Sequence, residues 1–574
     1  MLCWFGGRDC STSGIIGAME SAVKRIIFEL YNIDTEPQIT RPEPEFGDFS
    51  TNVAMQLAKQ LGKNPREIAT EITEALHQTG EYSKVDIAGP GFINITVSDA
   101  KLRENAARRP GKIYDNVRYV LEYSCPNAFK ELHTGHLYQT ILGDVIARLV
   151  EQSGAQMFRT SFGGDVGLHA AKCMYGMVQA LGGENPAGLG KVAADPFERA
   201  RWISTCYVAG AGAYEESDIA KQQIDAYNQQ IYALHAANDH GSAFAQIYWT
   251  TRQWSYDYFD AFYDLIKVDR MHYYPESATA EKGLGLVRGG LQKGLFTESE
   301  GAVVFEGDPE QHLHTRVFIT SKGLPTYETK DIGVIFTEKA DYNFDLRTLI
   351  TGNDQKEYMR VVFAAANALQ PGIGERMQHI TNGTVRFGDA KKMSSRLGNV
   401  ARAADVIDIV REKVANMTKD STVVNDVALG AVKYQFLKYR AGGDIAFDLE
   451  ESVSLQGNSG PYLQYAHARV CSILQKAGAA GITTENVQYD TAERALMRKL
   501  GENASIVERA ARELMPHYIC NYLYELAQEF NRFYEKCWIV GDERQAIRLG
   551  IAMLYRDTLA GNLALLGIAA PEHL

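Results

Sequence analysis

The stretch from Arg118 to Val150 constrains the fold more than any other. Arg118 to Tyr123 is short and mostly apolar, whereas Leu137, Ile141, Leu142, Val145, Ile146, Leu149 and Val150 recur at helical spacing. Between them stands Leu132-His133-Thr134-Gly135-His136-Leu137. A strand, a loop and a helix in that order form one unit of a doubly wound sheet. Such a unit delivers its loop to the carboxyl edge of the strands, where the free N–H groups opening the helix can face phosphate. Gly135, lacking a Cβ, lets a flat ring approach the backbone. Alone, H-x-G-H is a modest signal, equally compatible with two histidines that cap a helix.

The chain of 574 residues is too long for one core, and roughly three or four domains are expected. Its net charge of -12 argues against wholesale nonspecific nucleic-acid binding but leaves room for a local basic groove. The eight cysteines form no C-x-x-C and show no zinc-ligand spacing, so reduced thiols are expected and zinc is not. No apolar run reaches the roughly 18 residues of a membrane span, and the start lacks the order of a signal peptide. A cytoplasmic protein without membrane partners is the expectation.

Residues 1–18 show no helical or strand period and read as a disordered extension. From Met19 a helical face runs through Ala22, Ile26, Ile27 and Leu30. Phe46-Gly47-Asp48-Phe49-Ser50-Thr51-Asn52 makes a turn capping a second helix through Leu61, and Pro65 begins a third. Val85 to Val97 alternates around Gly89-Pro90-Gly91 as two strands and a turn. Residues 19–109 are thus a small α+β module. Residues 110–440 read as an α/β domain interrupted at about 176–265 by a helical insertion packed by aromatics such as Trp202, Trp249 and Trp254. Within it, Leu346 to Thr351 leads through Gly352-Asn353-Asp354-Gln355 into another helix. A strand-like run from His379 to Phe387 enters Gly388-Asp389-Ala390-Lys391-Lys392-Met393-Ser394-Ser395-Arg396, a polar loop whose lysines can follow phosphate. Residues 441–574 read as a helical bundle.

H-T-G-H early and K-M-S-S late resemble the class I aminoacyl-tRNA synthetases. Four stretches narrow the resemblance to the arginyl-tRNA synthetase family, over nearly the whole chain from Met19 to Leu574. They are Phe46 to Asn52, Glu122-Tyr123-Ser124-Cys125-Pro126-Asn127, Tyr327-Glu328-Thr329-Lys330-Asp331, and Asn458-Ser459-Gly460-Pro461-Tyr462-Leu463-Gln464-Tyr465-Ala466-His467-Ala468-Arg469. The resemblance implies a Rossmann-like class I catalytic domain, a small α+β N-terminal domain that grips tRNA and an all-α anticodon-binding bundle. It implies ATP with Mg2+, arginine and tRNA(Arg) as reactants. His133, Gly135, His136, Asp354, Lys392, Met393, Ser394 and Ser395 would then bind ATP, with His133, His136 and Lys392 serving the reaction and Lys391 assisting. The positions matching Glu122, Asn127, Tyr327, Asp331 and Gln355 line the arginine pocket in that family. A guanidinium needs carboxylate partners and an ammonium needs acceptors. The guanidinium is accordingly assigned chiefly to Asp331 and Tyr327, and the α-amino end to Glu122, Asn127 or Gln355. Phe46, Asn52 and Tyr462 are candidate tRNA contacts. Tyr465 and Trp538 also offer stacking faces, although helix packing is preferred for Trp538.

Two departures stand out. Gly164-Asp165-Val166-Gly167-Leu168-His169 has Val166 where the family usually has tryptophan, and Tyr138 stands where a basic residue often follows the histidines. Rival readings are another H-x-G-H nucleotidyl transferase, a synthetase for a different amino acid, and a noncatalytic RNA-binding relative. No resident metal site is expected. The absence of an obvious dimer arm points to a monomer.

Overall fold

A computed structural model of the chain describes residues 15–387, 402–418, 420–478 and 487–574. Two compact units emerge, one joining the residues up to Ile113 with Ser454–Leu574, the other holding Tyr114–Val453.

In the first unit, helix α1 spans Ile15–Tyr31, starting four residues before the expected Met19. Its buried face is Met19, Val23, Ile26 and Ile27, whereas Leu30 is exposed. Strands β1 (Ile39–Thr40) and β2 (Phe49–Thr51) precede helices α2 (Val53–Leu61) and α3 (Pro65–Gln78). Strands β3 (Tyr82–Ala88) and β4 (Phe92–Val97) form the hairpin expected around Gly89-Pro90-Gly91, and α4 (Asp99–Ala107) follows. The four strands make one antiparallel sheet in the order β1-β2-β4-β3. Among the described residues this unit has five further helices: Gly460–Ala477, Thr491–Leu500, Asn503–Glu513, His517–Lys536 and Gln545–Leu565.

The second unit is built on β5 (Arg118–Glu122), α5 (Thr134–Gln152), β6 (Gln156–Gly163) and α6 (Leu168–Ala180). Three long helices then intervene, α7 (Pro196–Glu216), α8 (Asp218–Ala237) and α9 (Ala243–Leu265). They share one core, in which Ile203, Ile224, Ile231, Phe244 and Trp254 bury and Val166 packs. Trp202 meets Trp254 edge to face at 6.3 Å, as an aromatic-packed insertion predicts. Next come β7 (His272–Pro275) and α10 (Glu276–Gln292), then an antiparallel sheet of β8 (Thr297–Ser299), β9 (Ala302–Phe305) and β10 (Arg316–Ile319). Helix α11 (Tyr327–Tyr342), β11 (Leu346–Gly352), α12 (Lys356–Leu369) and β12 (Met377–Asn382) close the main sheet.

That sheet is parallel, in the order β12-β11-β5-β6-β7. The chain leaves β5 toward β6 on one side and β11 toward β12 on the other. The two central strands therefore flank the crevice where doubly wound sheets place ligands. The segment expected as one strand from His379 to Phe387 is two, because Val385–Phe387 (β13) leaves the main sheet to pair in parallel with Ile445–Phe447 (β14). That pairing keeps residues 441–453 in the second unit rather than with the helical bundle. The Rossmann-like core with a helical insertion, an α+β N-terminal module and an all-α C-terminal bundle agrees with the fold class read from the sequence.

Candidate active site at the sheet crevice

Beyond Glu122 the backbone turns through two consecutive left-handed residues, Ser124 (φ 70°) and Cys125 (φ 45°). Non-glycine residues hold such angles only where their surroundings over-determine them. Here Ser124 Oγ lies 3.0 Å from the Tyr263 hydroxyl and accepts from Thr140 at 2.8 Å. Ser255 Oγ accepts from the Phe129 amide at 3.0 Å and the Tyr258 hydroxyl from that of Leu132 at 3.2 Å, so α9 shapes this loop. A Cβ on Gly163 would sit 2.0 Å from the Pro126 carbonyl, showing how closely β6 ends beneath it.

At the mouth of α5, His133 occupies the N-cap position. Its Nδ1 accepts the Gly135 amide at 3.0 Å, and His136 Nδ1 accepts the His133 amide at 3.3 Å. The rings lie 3.9 Å apart. Capping and nucleotide binding are thus not exclusive. With Nδ1 accepting, each neutral imidazole carries its proton on Nε2, which leaves a donor for an anion. Burial lowers both pKa values, His136 to about 3 with His133 and Lys130 adding to the effect, so both rings are neutral at pH 7. The space beside Gly135 differs from the expectation of room for a base. A Cβ there would meet the His133 ring at 2.8 Å, so the glycine first accommodates its own neighbour.

Lys391, Lys392, Met393, Ser394 and Ser395 lie outside the described residues. The described chain that follows is tied to the histidine loop: Arg402 forms a bridge with His133, and the Ala403 amide donates to Leu132 O at 2.9 Å. Across the crevice, Asp354 is exposed and belongs to a short 3-10 turn, Asn353–Gln355, and it caps no helix. Gln355 Nε2 donates to it at 2.8 Å.

The five expected arginine-pocket residues divide. Asp331, one turn into α11, accepts from the Tyr358 hydroxyl, and burial pushes its carboxyl up to about 7 against the pull of Tyr358 and Arg347. Tyr327, at the start of α11, is 64% exposed. Asn127 Oδ1 accepts the Gly164 amide at 2.7 Å, which places it at the end of β6. Glu122 is buried and already engaged, since Arg347 donates to its Oε2. Gln355 contacts Asp354 and is not brought to the other four by any contact described.

Several residues here escaped the sequence reading. Arg347 is one, a lone charge in the apolar run of β11, and that anomaly was its available signal. Lys330 pairs with Glu276 at 2.5 Å, both 6% exposed, and lies over the Tyr327 ring at 5.1 Å. Asp165 is fully buried and accepts from Arg252 at 2.8 Å and from Ser277 N and Oγ at 2.9 and 2.6 Å. Of the two departures, Val166 is core, and Tyr138 is buried against Phe436 with ring centres 5.5 Å apart. Both substitutions serve packing.

Trp538 is 82% exposed, contrary to the packing expected of it, because it sits between two bundle helices rather than within one. Tyr462 is the more committed aromatic, accepting from Asn531 at 3.0 Å and meeting Tyr524 edge to face.

Residues 97–449 match the model of the class I tRNA synthetase (R) catalytic domain. Residues 15–97 match the arginyl tRNA synthetase N-terminal domain, and residues 463–574 the DALR anticodon-binding domain. The chain belongs to the arginyl-tRNA synthetase family. It is 32% identical to the arginine--tRNA ligase of Thermobifida fusca over 94% of this chain and 96% of that protein. The corresponding ligase of Frankia casuarinae is 31% identical, covering 97% of each. The fold is similar to that of the Thermus thermophilus arginyl-tRNA synthetase, with a TM-score of 0.79 at 23% identity, covering 98% of this chain and 100% of that one. The N-terminal match begins at residue 15, where α1 begins, so residues 15–18 belong to the module and not to an extension.

Proposed function

We propose that this chain joins arginine to tRNA(Arg) in two steps at the crevice between β5 and β11. The arginine carboxylate attacks the α-phosphorus of ATP, the bond to the β-phosphate oxygen breaks, and pyrophosphate leaves arginyl-adenylate behind. A 3′-terminal ribose hydroxyl of the tRNA then attacks the adenylate carbonyl, losing its proton as AMP departs. Such chemistry needs alignment and charge stabilisation rather than a protein nucleophile. The observation that carries the reading is the pair of neutral histidines with Nε2–H donors at the opening of α5, across a switch point from a buried acidic pocket, in a chain of this family.

In this reading His133, His136 and the first amides of α5 hold the ATP phosphates. Lys392, with Met393, Ser394 and Ser395, neutralises charge on the departing pyrophosphate, and Asp354 takes the ribose. Asp331 and Tyr327 bind the guanidinium, while Asn127, Gln355 and the open oxygen of Glu122 serve the α-ammonium. Magnesium accompanies the nucleotide. Among the described residues no three His, Cys, Asp or Glu side chains form a cluster that could hold a metal. Bound with the nucleotide, magnesium would neutralise phosphate charge. The N-terminal module grips tRNA through exposed Phe46 and half-buried Asn52, and the bundle reads unpaired bases on exposed Trp538 and Tyr465 and on half-buried Tyr462. No helix among the described residues is long and apolar enough to cross a membrane.

The test is pyrophosphate exchange with each amino acid, with and without tRNA. Arginine-dependent exchange only when cognate tRNA is present is the expected result. Exchange with another amino acid, or tRNA binding with no exchange under any condition, would overturn the reading.

A further inference from the structure

Beneath the arginine pocket lies a cation that the two-step reaction does not itself require. Arg347 of β11 is 1% exposed, in a strand whose other buried residues include Leu349 and Ile350. Its Nε donates to Glu338 of α11 at 2.6 Å, and its Nη2 donates to Oε2 of Glu122 at the end of β5. The remaining oxygen of Glu338 accepts from Thr160 of β6 at 2.5 Å. One guanidinium thus fixes carboxylates from a strand and a helix on two sides of the crevice.

Three features argue that this arrangement serves recognition rather than stability. A buried ion pair is generally no more stabilising than apolar residues of the same volume, so packing alone gives no reason for an arginine here. Its Nη1 is buried without a hydrogen-bond partner, a donor the pairing with the two carboxylates leaves unmet. The two oxygens of Glu122 are also treated differently. Oε2 is held by the guanidinium, whereas Oε1 meets only the Cys125 thiol at 3.7 Å, a weak and long contact.

We propose that Arg347 is a positioning residue for amino-acid recognition: it holds Oε2 of Glu122 so that Oε1 is presented to a cationic group of the arginine substrate. The proposal rests on the arginine-activating role proposed above. Charge works in the same direction. Burial raises the Glu122 carboxyl, with Arg347 opposing the rise and Glu338 and Asp331 adding to it. Without Arg347, three neighbouring carboxyl groups would share a dry site and take up protons, and Glu122 would lose its hold on a cation.

The experiment compares wild type, R347M/E338Q, R347K, E122Q and the triple variant, reading the KM of arginine and of ATP in tRNA-dependent exchange. E338Q removes the charge that R347M would strand and keeps an acceptor for Thr160. In R347M/E338Q the arginine KM is expected to rise about 10- to 100-fold, the loss of one charge-assisted contact, with the ATP KM unchanged. Relative to wild type at each pH, that rise should grow from about pH 6.5 through about pH 8, because the paired Glu122 carboxyl, raised to about 8, gains its charge there while the unpaired one stays protonated to higher pH. E122Q should show a similar rise that grows over the same range, and adding it to R347M/E338Q should add nothing at the lower pH. A rise shared equally by ATP, one independent of pH, or full additivity with E122Q would overturn the proposal. If R347M/E338Q fails to fold, R347K carries the test, because it keeps the charge and loses the fork. A selective rise in its arginine KM supports positioning, and an unchanged KM refutes it. Failure of wild type to exchange arginine would instead refute the parent reading.

Discussion

Two clusters of arginine and carboxylate, one in each unit, are balanced differently. In the first unit, Arg494 donates to Asp48 and to the Val97 carbonyl, each at 2.6 Å, and also to Asp99. Asp48 accepts the Val97 amide at 2.9 Å, and Arg498 stands 3.8 Å from its other oxygen. Two guanidinium groups therefore serve two carboxylates, clasping the N-terminal module to the helix Thr491–Leu500. In the second unit Arg347 alone faces Glu122 and Glu338, with Asp331 within electrostatic reach. Acid exceeds base there, and burial raises the pKa of Glu122 and Asp331. A cluster whose charges match is complete as folded. One left with surplus carboxyl groups is completed by a cation from outside, which takes the place of their protons, and the surplus marks the pocket.

That contrast can be broken by mutation. The largest effect is expected at the unbalanced cluster, where Asp331→Asn should raise the arginine KM by on the order of 100-fold or more, the scale of losing one partner of a desolvated pair. Steady-state exchange at saturating ATP measures it, and an equal rise for ATP would mean the site had collapsed. His136→Ala removes the proposed phosphate donor without touching either cluster. It should lower the exchange rate by about 100-fold at saturating substrates, with the arginine KM little changed. Arg494→Met attacks the balanced cluster. Urea melts should show a loss of about 2 kcal/mol, reduced from the full buried-pair value because Arg494 is 23% exposed, with arginine affinity intact.

Titration separates the clusters more gently. Asp331 sits at about 7 in the free protein, and a bound guanidinium would draw it down. A folded-state pKa raised above the unfolded value means the neutral acid is favoured, so the pocket is partly protonated below pH 7 and arginine must displace that proton. Arginine affinity should therefore increase roughly tenfold or more from about pH 6 to about pH 8, with proton release detectable by calorimetry in buffers of different ionisation enthalpy. Proton uptake on binding would contradict the assignment. Last, Trp538→Ala should leave stability within about 0.5 kcal/mol while weakening tRNA binding by about 1 kcal/mol, as filter binding would report.

What the sequence disclosed follows the range of the interactions involved. The histidine loop was legible because a strand, a turn and a helix each carry their own local period, and the β3–β4 hairpin because glycines flank its proline. Short β7 and β14 lacked enough residues to show a period. Trp538 was misjudged because burial there depends on how two helices join. At the site, Glu122 and Asp331 could be named from motifs, yet Arg347, Glu338 and the Lys330–Glu276 pair come from separate elements, and only register brings them together. Helix α1 starts ahead of the expected Met19 because Gly17, a poor helix former, interrupts the sequence pattern there.

The hydrogen bonds that α9 makes to the loop before His133 bear on any attempt to shorten this protein. An engineer seeking a minimal arginine-activating core would be drawn to delete residues 176–265, which interrupt the α/β pattern. Ser255, Tyr258 and Tyr263 lie inside that span, and they hold Phe129, Leu132 and the left-handed Ser124 in place. Excision would remove the scaffold on which the nucleotide loop is cast, so a working miniature has to retain α9 or supply three equivalent partners from elsewhere.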